Sequence, residues 1–200
     1  MLITSQPSAI RVAIDQGDVR TIQQDKTWEQ FEHLQKGFEN TRGIRLFYYE
    51  NIIEIIMPGA AHELFKSIIG FLLETFLFNC QTEFKPTGSM TQKKNGLAAA
   101  EADESYEIDG LRLSIEVNFT SGDESKLECY QLLGVDEVWF WEDGTLAVYH
   151  LQPTGYQQVD RSQIPALAPI HLEVLAECIL IGETSRIAAA NKFLAAHPWP

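Results

Sequence analysis

Residues 101–118 read EADESYEIDGLRLSIEVN, and the Asp109-Gly110 pair inside them decides how the chain folds around it. Asp-Gly flanked by alternating residues is the strongest short-range signal for a β-hairpin with a two-residue loop. Ile108 then faces Leu111, Glu107 faces Arg112, Tyr106 faces Leu113, Ser105 faces Ser114 and Asp103 faces Glu116. Side chains alternate faces along a strand. One face therefore collects Ala102, Tyr106, Ile108, Leu111, Leu113, Ile115 and Val117, with Glu104 its polar member. The other collects Glu101, Asp103, Ser105, Glu107, Arg112, Ser114, Glu116 and Asn118. The first is a core face; the second carries the chemistry.

Glu107 and Arg112 can neutralise each other across the strands, whereas Asp103 and Glu116 cannot. Two ionised carboxylates at ~5 Å repel by about 3 kcal/mol at an effective dielectric near 20. A hard divalent cation turns that repulsion into attraction, because Mg²⁺ takes one or two carboxylates beside water and phosphate. On this reading, removing either carboxylate leaves the fold intact or firmer. The alternative is a solvated sheet face whose carboxylates point apart into water. Asn118, two residues beyond Glu116, adds a hydrogen-bond donor without charge. A cation lies further on. Ser121-Gly122-Asp123-Glu124 has the form of a capping box, opening a helix through about Leu133. Lys126 and Tyr130 share a face of that helix at i, i+4. Folded back, the helix brings Lys126 to the Asp103–Glu116 pair; otherwise Lys126 is an exposed first-turn lysine.

Outward from the hairpin, Thr27-Trp28-Glu29-Gln30 is a second capping box, opening a helix to about Asn40. Ile44–Tyr49 and Ile52–Met57 form a hairpin about Glu50-Asn51. Pro58-Gly59 breaks the strand, and His62, Phe65, Ile69, Leu72, Leu73 and Phe76 mark a helix over 60–79. Glu137–Trp141 and Leu146–Leu151 are strands joined at Glu142-Asp143-Gly144, and Leu172, Leu175 and Ile179 keep helical spacing. Residues 1–24 look like an arm, 25–182 a single α+β domain, and 183–200 a peripheral helical tail. Trp139-Phe140-Trp141 is a core strand rather than a stacking platform. Lys93 and Lys94 form the one basic pair near the hairpin, either touching phosphate or lying in an exposed loop.

The chain has 200 residues with 45% hydrophobic and 22% charged content, an ordinary globular balance that excludes a wholly disordered chain. At this length about 70% of the unfolded surface is buried, so no disulfide or structural metal is required. No apolar run reaches the ~18 residues of a spanning helix, and no signal peptide is visible. Cys80, Cys129 and Cys178 have no ligand spacing and read as reduced, buried thiols of a cytoplasmic protein. The net charge of −13 argues against general polyanion binding. It leaves room for a local basic patch.

An aspartate, a glutamate near the end of an apolar strand and a nearby lysine follow in the order of the PD-(D/E)xK nuclease superfamily. Within it the chain resembles the Uma-two family of restriction-endonuclease-like proteins. The resemblance is carried by residues 53–62 (IEIIMPGAAH), 88–91 (GSMT), 101–106 (EADESY), 115–122 (IEVNFTSG) and 126–141 (KLECYQLLGVDEVWFW), and extends over roughly 25–182. It implies a restriction-endonuclease-like mixed β-sheet flanked by helices, and Mg²⁺-dependent hydrolysis of DNA, with Mn²⁺ as a substitute. The family's metal ligands fall on Asp103, Glu116 and the backbone carbonyl of Val117. Its lysine, displaced to the following helix, falls on Lys126. Residues of its first helix region fall on Glu54 and His62, and Glu101 or Glu54 would serve a second metal. His62 would bind phosphate, move a proton or hold a carboxylate such as Glu54; alternatively it caps or packs the helix. The chain departs from the pattern in having Ala102 where a proline precedes the aspartate, and in its minimal Asp109-Gly110 loop. Cutting both strands needs two sites, so a homodimer is an expectation that no residue pattern carries. The rival is a catalytically inactive nuclease-fold interaction module, to which the net charge and Asn118 point.

Overall fold

Asp109 and Gly110 sit at φ 53° and 79°, the backbone that a two-residue type I′ loop requires. Glu50-Asn51 and Asp143-Gly144 adopt the same conformation, so all three hairpins anticipated above close on short loops. A computed structural model describes residues 11–15, 17–118 and 124–198, with side chains over 17–117 and 126–198. The chain runs through β1 (Arg11–Asp15), β2 (Asp18–Gln23), α1 (Trp28–Phe38), β3 (Arg45–Tyr49), β4 (Ile52–Met57) and α2 (Ala60–Asn79). Three short strands follow, β5 (Phe84–Pro86), β6 (Gln92–Lys94) and β7 (Ala98–Ala100). Then comes the central hairpin of β8 (Glu104–Ile108) and β9 (Leu111–Asn118). After α3 (Glu124–Leu133) come β10 (Glu137–Glu142), β11 (Thr145–Gln152), β12 (Gly155–Val159), α4 (Leu172–Gly182) and α5 (Arg186–Ala196). The fold is α+β.

The strands make two six-stranded sheets, ordered β1-β2-β4-β3-β7-β6 and β12-β11-β10-β9-β8-β5. The first is antiparallel throughout. In the second, β9 and β10 are parallel, with Glu116 beside Phe140. A parallel pair needs a crossover, and α3 lies within it. The large core packs α2 (Ile69, Leu72, Phe76) against Tyr106, Ile115, Trp139 and Trp141 of the second sheet and against α4 and α5. On the sheet's other side, Cys129, Tyr130 and Leu133 of α3 pack on Phe47, Ala100, Val138 and Phe140. The strand 139–141 is thus core, as read. The Thr27–Gln30 capping box forms, and its helix packs Phe31 on Tyr48 and Ile53.

The hairpin register runs as derived from Ile108↔Leu111 to Ser105↔Ser114, and the ladder ends at Glu104↔Ile115. Asp103 does not sit opposite Glu116. Residues 101–103 carry the chain from the first sheet to the second. Asp103 donates its N–H to the Ile115 carbonyl at 3.1 Å, and its carboxylate accepts from the Val117 N–H at 2.8 Å. The switch also turns Ala102 away from Tyr106 and into the core beneath α3. The second face of the hairpin is covered where the two carboxylates stand: Asp103, Ser105, Ser114 and Glu116 are all buried. Arg112 donates to the carbonyls of Leu133 and Gly134 rather than to Glu107, which is exposed.

The described parts of the expected arm and tail are integrated into the fold. Residues 19–23 of the expected arm pair with β4. In the expected tail, Ala189 and Phe193 join the large core, where Phe193 packs 5.9 Å from Phe76, centroid to centroid. Cys129 and Cys178 are buried free thiols, while Cys80 is half-buried. Among the described residues no helix is long and apolar enough to cross a membrane. Phe193→Ala is expected to lower stability by about 3–5 kcal/mol, read from the urea midpoint; a loss under about 1 kcal/mol would return α5 to the periphery.

Candidate active site

Glu116 stands near the carboxyl end of β9 and is 5% exposed. Its Oε2 accepts from Lys126 Nζ at 2.7 Å and its Oε1 from the Tyr130 hydroxyl. Both donors come from α3, one turn apart, so the helix does fold back over the hairpin. Its capping box at Ser121–Asp123 lies outside the described residues. Asp103 Oδ1 lies 2.8 Å from His62 Nε2 and 3.9 Å from Arg45 Nε. The other His62 nitrogen, Nδ1, is 2.9 Å from Asp18 Oδ2, and Asp18 also accepts from the Gly59 N–H that opens α2. That last contact depends on glycine: a Cβ on Gly59 would stand 2.6 Å from the Gly17 carbonyl carbon. Glu54 is clasped by Arg20, with Nε 2.6 Å from Oε1 and Nη2 3.0 Å from Oε2.

Sheet register explains the clasp. Ile22 of β2 and Phe47 of β3 both flank Glu54. Arg20 and Arg45, two residues away, therefore share its face and reach it or its neighbours diagonally. Four carboxylates (Asp18, Glu54, Asp103, Glu116) thus stand among Arg20, Arg45, His62 and Lys126. Burial lowers the basicity of His62, but the hydrogen bonds and charges of Asp103 and Asp18 outweigh it and lift the pKa to about 9. Both ring nitrogens then donate. Burial likewise opposes ionisation of Asp103, yet His62, the Val117 N–H and Lys126 hold its carboxyl below the usual range. Lys126 is pushed above its ordinary value: burial works against the charge, and Glu116, Glu54 and Asp103 prevail. Burial raises the Glu116 carboxyl, with Lys126 opposing.

Of the residues singled out from the sequence, Asp103, Glu116, Lys126, Glu54 and His62 come together. Glu101 does not: its carboxylate accepts from the Leu46 N–H at 3.0 Å and the Thr91 hydroxyl at 2.6 Å, on the α1 side. Val117 contributes its N–H to Asp103. The Asn118 side chain lies outside the described residues. His62 meets Asp18 and Asp103 rather than Glu54. Sequence reasoning missed Asp18, Arg20 and Arg45, although Glu54, a lone charge in the apolar run IIEIIM, signals that a cation faces it. Among the described residues, no group of three or more His, Cys, Asp and Glu is placed to hold a metal. The Asp103 and Glu116 carboxylates are hard oxygen donors of the kind Mg²⁺ takes, and each of their oxygens already faces a donor within the chain. No protein-family model matches the chain, and no curated protein matches it.

The His62 pKa sits above its unfolded value, so its stabilisation is complete below about pH 6.5 and is lost as pH rises through about 9. Urea stability in chelator is expected to fall by about 3 kcal/mol across that window. His62→Gln should flatten the fall, and an unchanged slope would refute the doubly bonded imidazolium. Lys126→Met strands a buried carboxylate and should cost about 3–5 kcal/mol, whereas adding Glu116→Leu should recover most of it.

Proposed function

We propose that this chain is a metal-dependent endonuclease hydrolysing phosphodiester bonds of DNA, with the restriction-endonuclease-like core of the PD-(D/E)xK proteins and their Uma-two members. One observation carries the reading. Asp103 from a strand switch, Glu116 from β9 and Lys126 from α3 converge in one buried cluster. Further support comes from its place: Glu116 lies near the carboxyl end of a strand in a parallel pair, where open α/β sheets hold their ligands.

Asp103 and Glu116 would hold Mg²⁺, which when bound supplies polarisation of the scissile phosphate and a lower pKa for an attacking water. Asp103 is kept ionised and fixed in place by His62 and the Val117 N–H, so it needs no reorganisation to act as a ligand. Lys126 has three N–H donors, of which Glu116 takes one. Those remaining would orient the water or meet charge growing on phosphate. His62, protonated at neutral pH, positions Asp103 rather than accepting a proton.

The second reading is a nuclease fold kept as a non-catalytic interaction module. It is favoured by the fact that every carboxylate oxygen of Asp103 and Glu116 already faces a donor within the chain. Plasmid nicking in Mg²⁺ or Mn²⁺, with EDTA as control, separates the two. The wild type should cut, Asp103→Asn and Glu116→Gln should not, and Lys126→Ala should cut about a hundredfold more slowly. Full activity in both carboxylate variants would overturn the assignment. DNA binding without cleavage in either metal would favour the module.

A further inference from the structure

A cleft of about 740 Å³ lies between α1 and the β3–β7–β6 edge of the first sheet, and it shares Arg45 with the acidic centre. Lys36, Arg42 and Lys93 line it, and none of them forms an ion pair among the described residues; Lys93 donates to Gln35 at 2.9 Å. Glu32, Glu39 and Glu101 also line it, Glu101 with its carboxylate turned onto Leu46 and Thr91. Three cations there meet three carboxylates, an even balance in a chain whose net charge is −13, while Arg45 is engaged with Glu63 and Asp103. Arg45 donates from Nη2 to Glu63 Oε1 at 3.5 Å, whereas its buried Nε, 3.9 Å from Asp103 Oδ1, makes no hydrogen bond. A buried donor left unbonded calls for a partner. The half-buried ring of Phe38 adds an aromatic surface to the wall.

Cations along a groove with an aromatic among them are how proteins hold single strands: backbone charge is met by Lys and Arg, and bases stack on rings. A duplex suits the site poorly. It carries one charge per about 1.7 Å of axis against about 3.4 Å for one strand, more than three cations set beside three carboxylates can meet. The cleft volume also lies within the roughly 300–1,000 Å³ of small-ligand sites, room for a segment of one strand. We infer that this cleft is the path of a single DNA strand, with phosphates on Lys36, Arg42 and Lys93 and a base on Phe38. Arg45 stands where the path meets the Asp103–Glu116 centre. The direction of travel rests on the nuclease reading; the binding does not.

Fluorescence anisotropy of a short labelled oligothymidylate in EDTA, where nothing is hydrolysed, tests it. Lys36→Ala/Arg42→Ala/Lys93→Ala should bind about tenfold more weakly or worse, with the salt slope reduced by about 2, at ~0.7 per lost contact. Phe38→Ala should lose about fivefold or more. A matched duplex should bind wild type about tenfold more weakly than the strand. The three cations are exposed, so the triple variant should melt with the wild type, and restoring positions 36 and 93 as arginine should recover binding. No strand binding by the wild type, an unaffected triple variant, or equal affinity for duplex would each overturn the inference. Strand binding without cleavage in Mg²⁺ or Mn²⁺ overturns the nuclease reading alone, and cleavage with an unaffected triple variant overturns the cleft alone.

Discussion

Burying Lys126 against Glu116 is the constraint around which the rest is arranged. Two ions lose their water together, and their attraction repays this only when geometry is close and the remaining polar atoms are satisfied. Here Tyr130 completes Glu116, while Glu54 and Asp103 add their charge to that of Glu116 around the ammonium. The arrangement needs α3 laid across the sheet with residues 126 and 130 facing inward. That in turn needs the crossover that makes β9 and β10 parallel. Apolar residues at 116 and 126 would hold the helix about as well, so stability alone does not account for the pair.

Much of this was legible in the sequence where one local rule sufficed. Asp-Gly between alternating residues dictates a type I′ loop, which sets the register for five residue pairs. Lys126 and Tyr130 share a helical face whatever the fold. The reading broke where a distant element intervened. Strict alternation placed Ala102 with Tyr106 and Asp103 opposite Glu116, but residues 101–103 leave one sheet for the other, so alternation stops there. A two-residue period also cannot tell water from a covering helix. The polar face was therefore open to two readings, and the solvated one fails at Asp103 and Glu116, which are buried. Asp18 and Arg20 act through β2, which pairs with β4 some 30 to 40 residues further along, and Arg45 meets Asp103 from across the two sheets; no local spacing announces either.

Charge is partitioned in a way the total of −13 conceals. The buried centre sets four carboxylates among four cations and is close to neutral with His62 protonated. Repulsion between Asp103 and Glu116, the expected driving force for cation capture, is already relieved from within. A metal entering this centre would compete with ammonium and imidazolium rather than fill an electrostatic hole. The neighbouring cleft is different in kind, since Lys36, Arg42 and Lys93 are exposed and form no ion pair among the described residues.

The open edges of the two sheets carry a further meaning. β6 ends one sheet with Gln92-Lys93-Lys94, and β5 ends the other with Phe84-Lys85-Pro86. An open strand edge is a template on which another chain can lay a strand, and lysine and proline there discourage it. Lys93 therefore guards against self-aggregation as well as facing the cleft. Were it traded away, Lys94 would be left to blunt that edge alone.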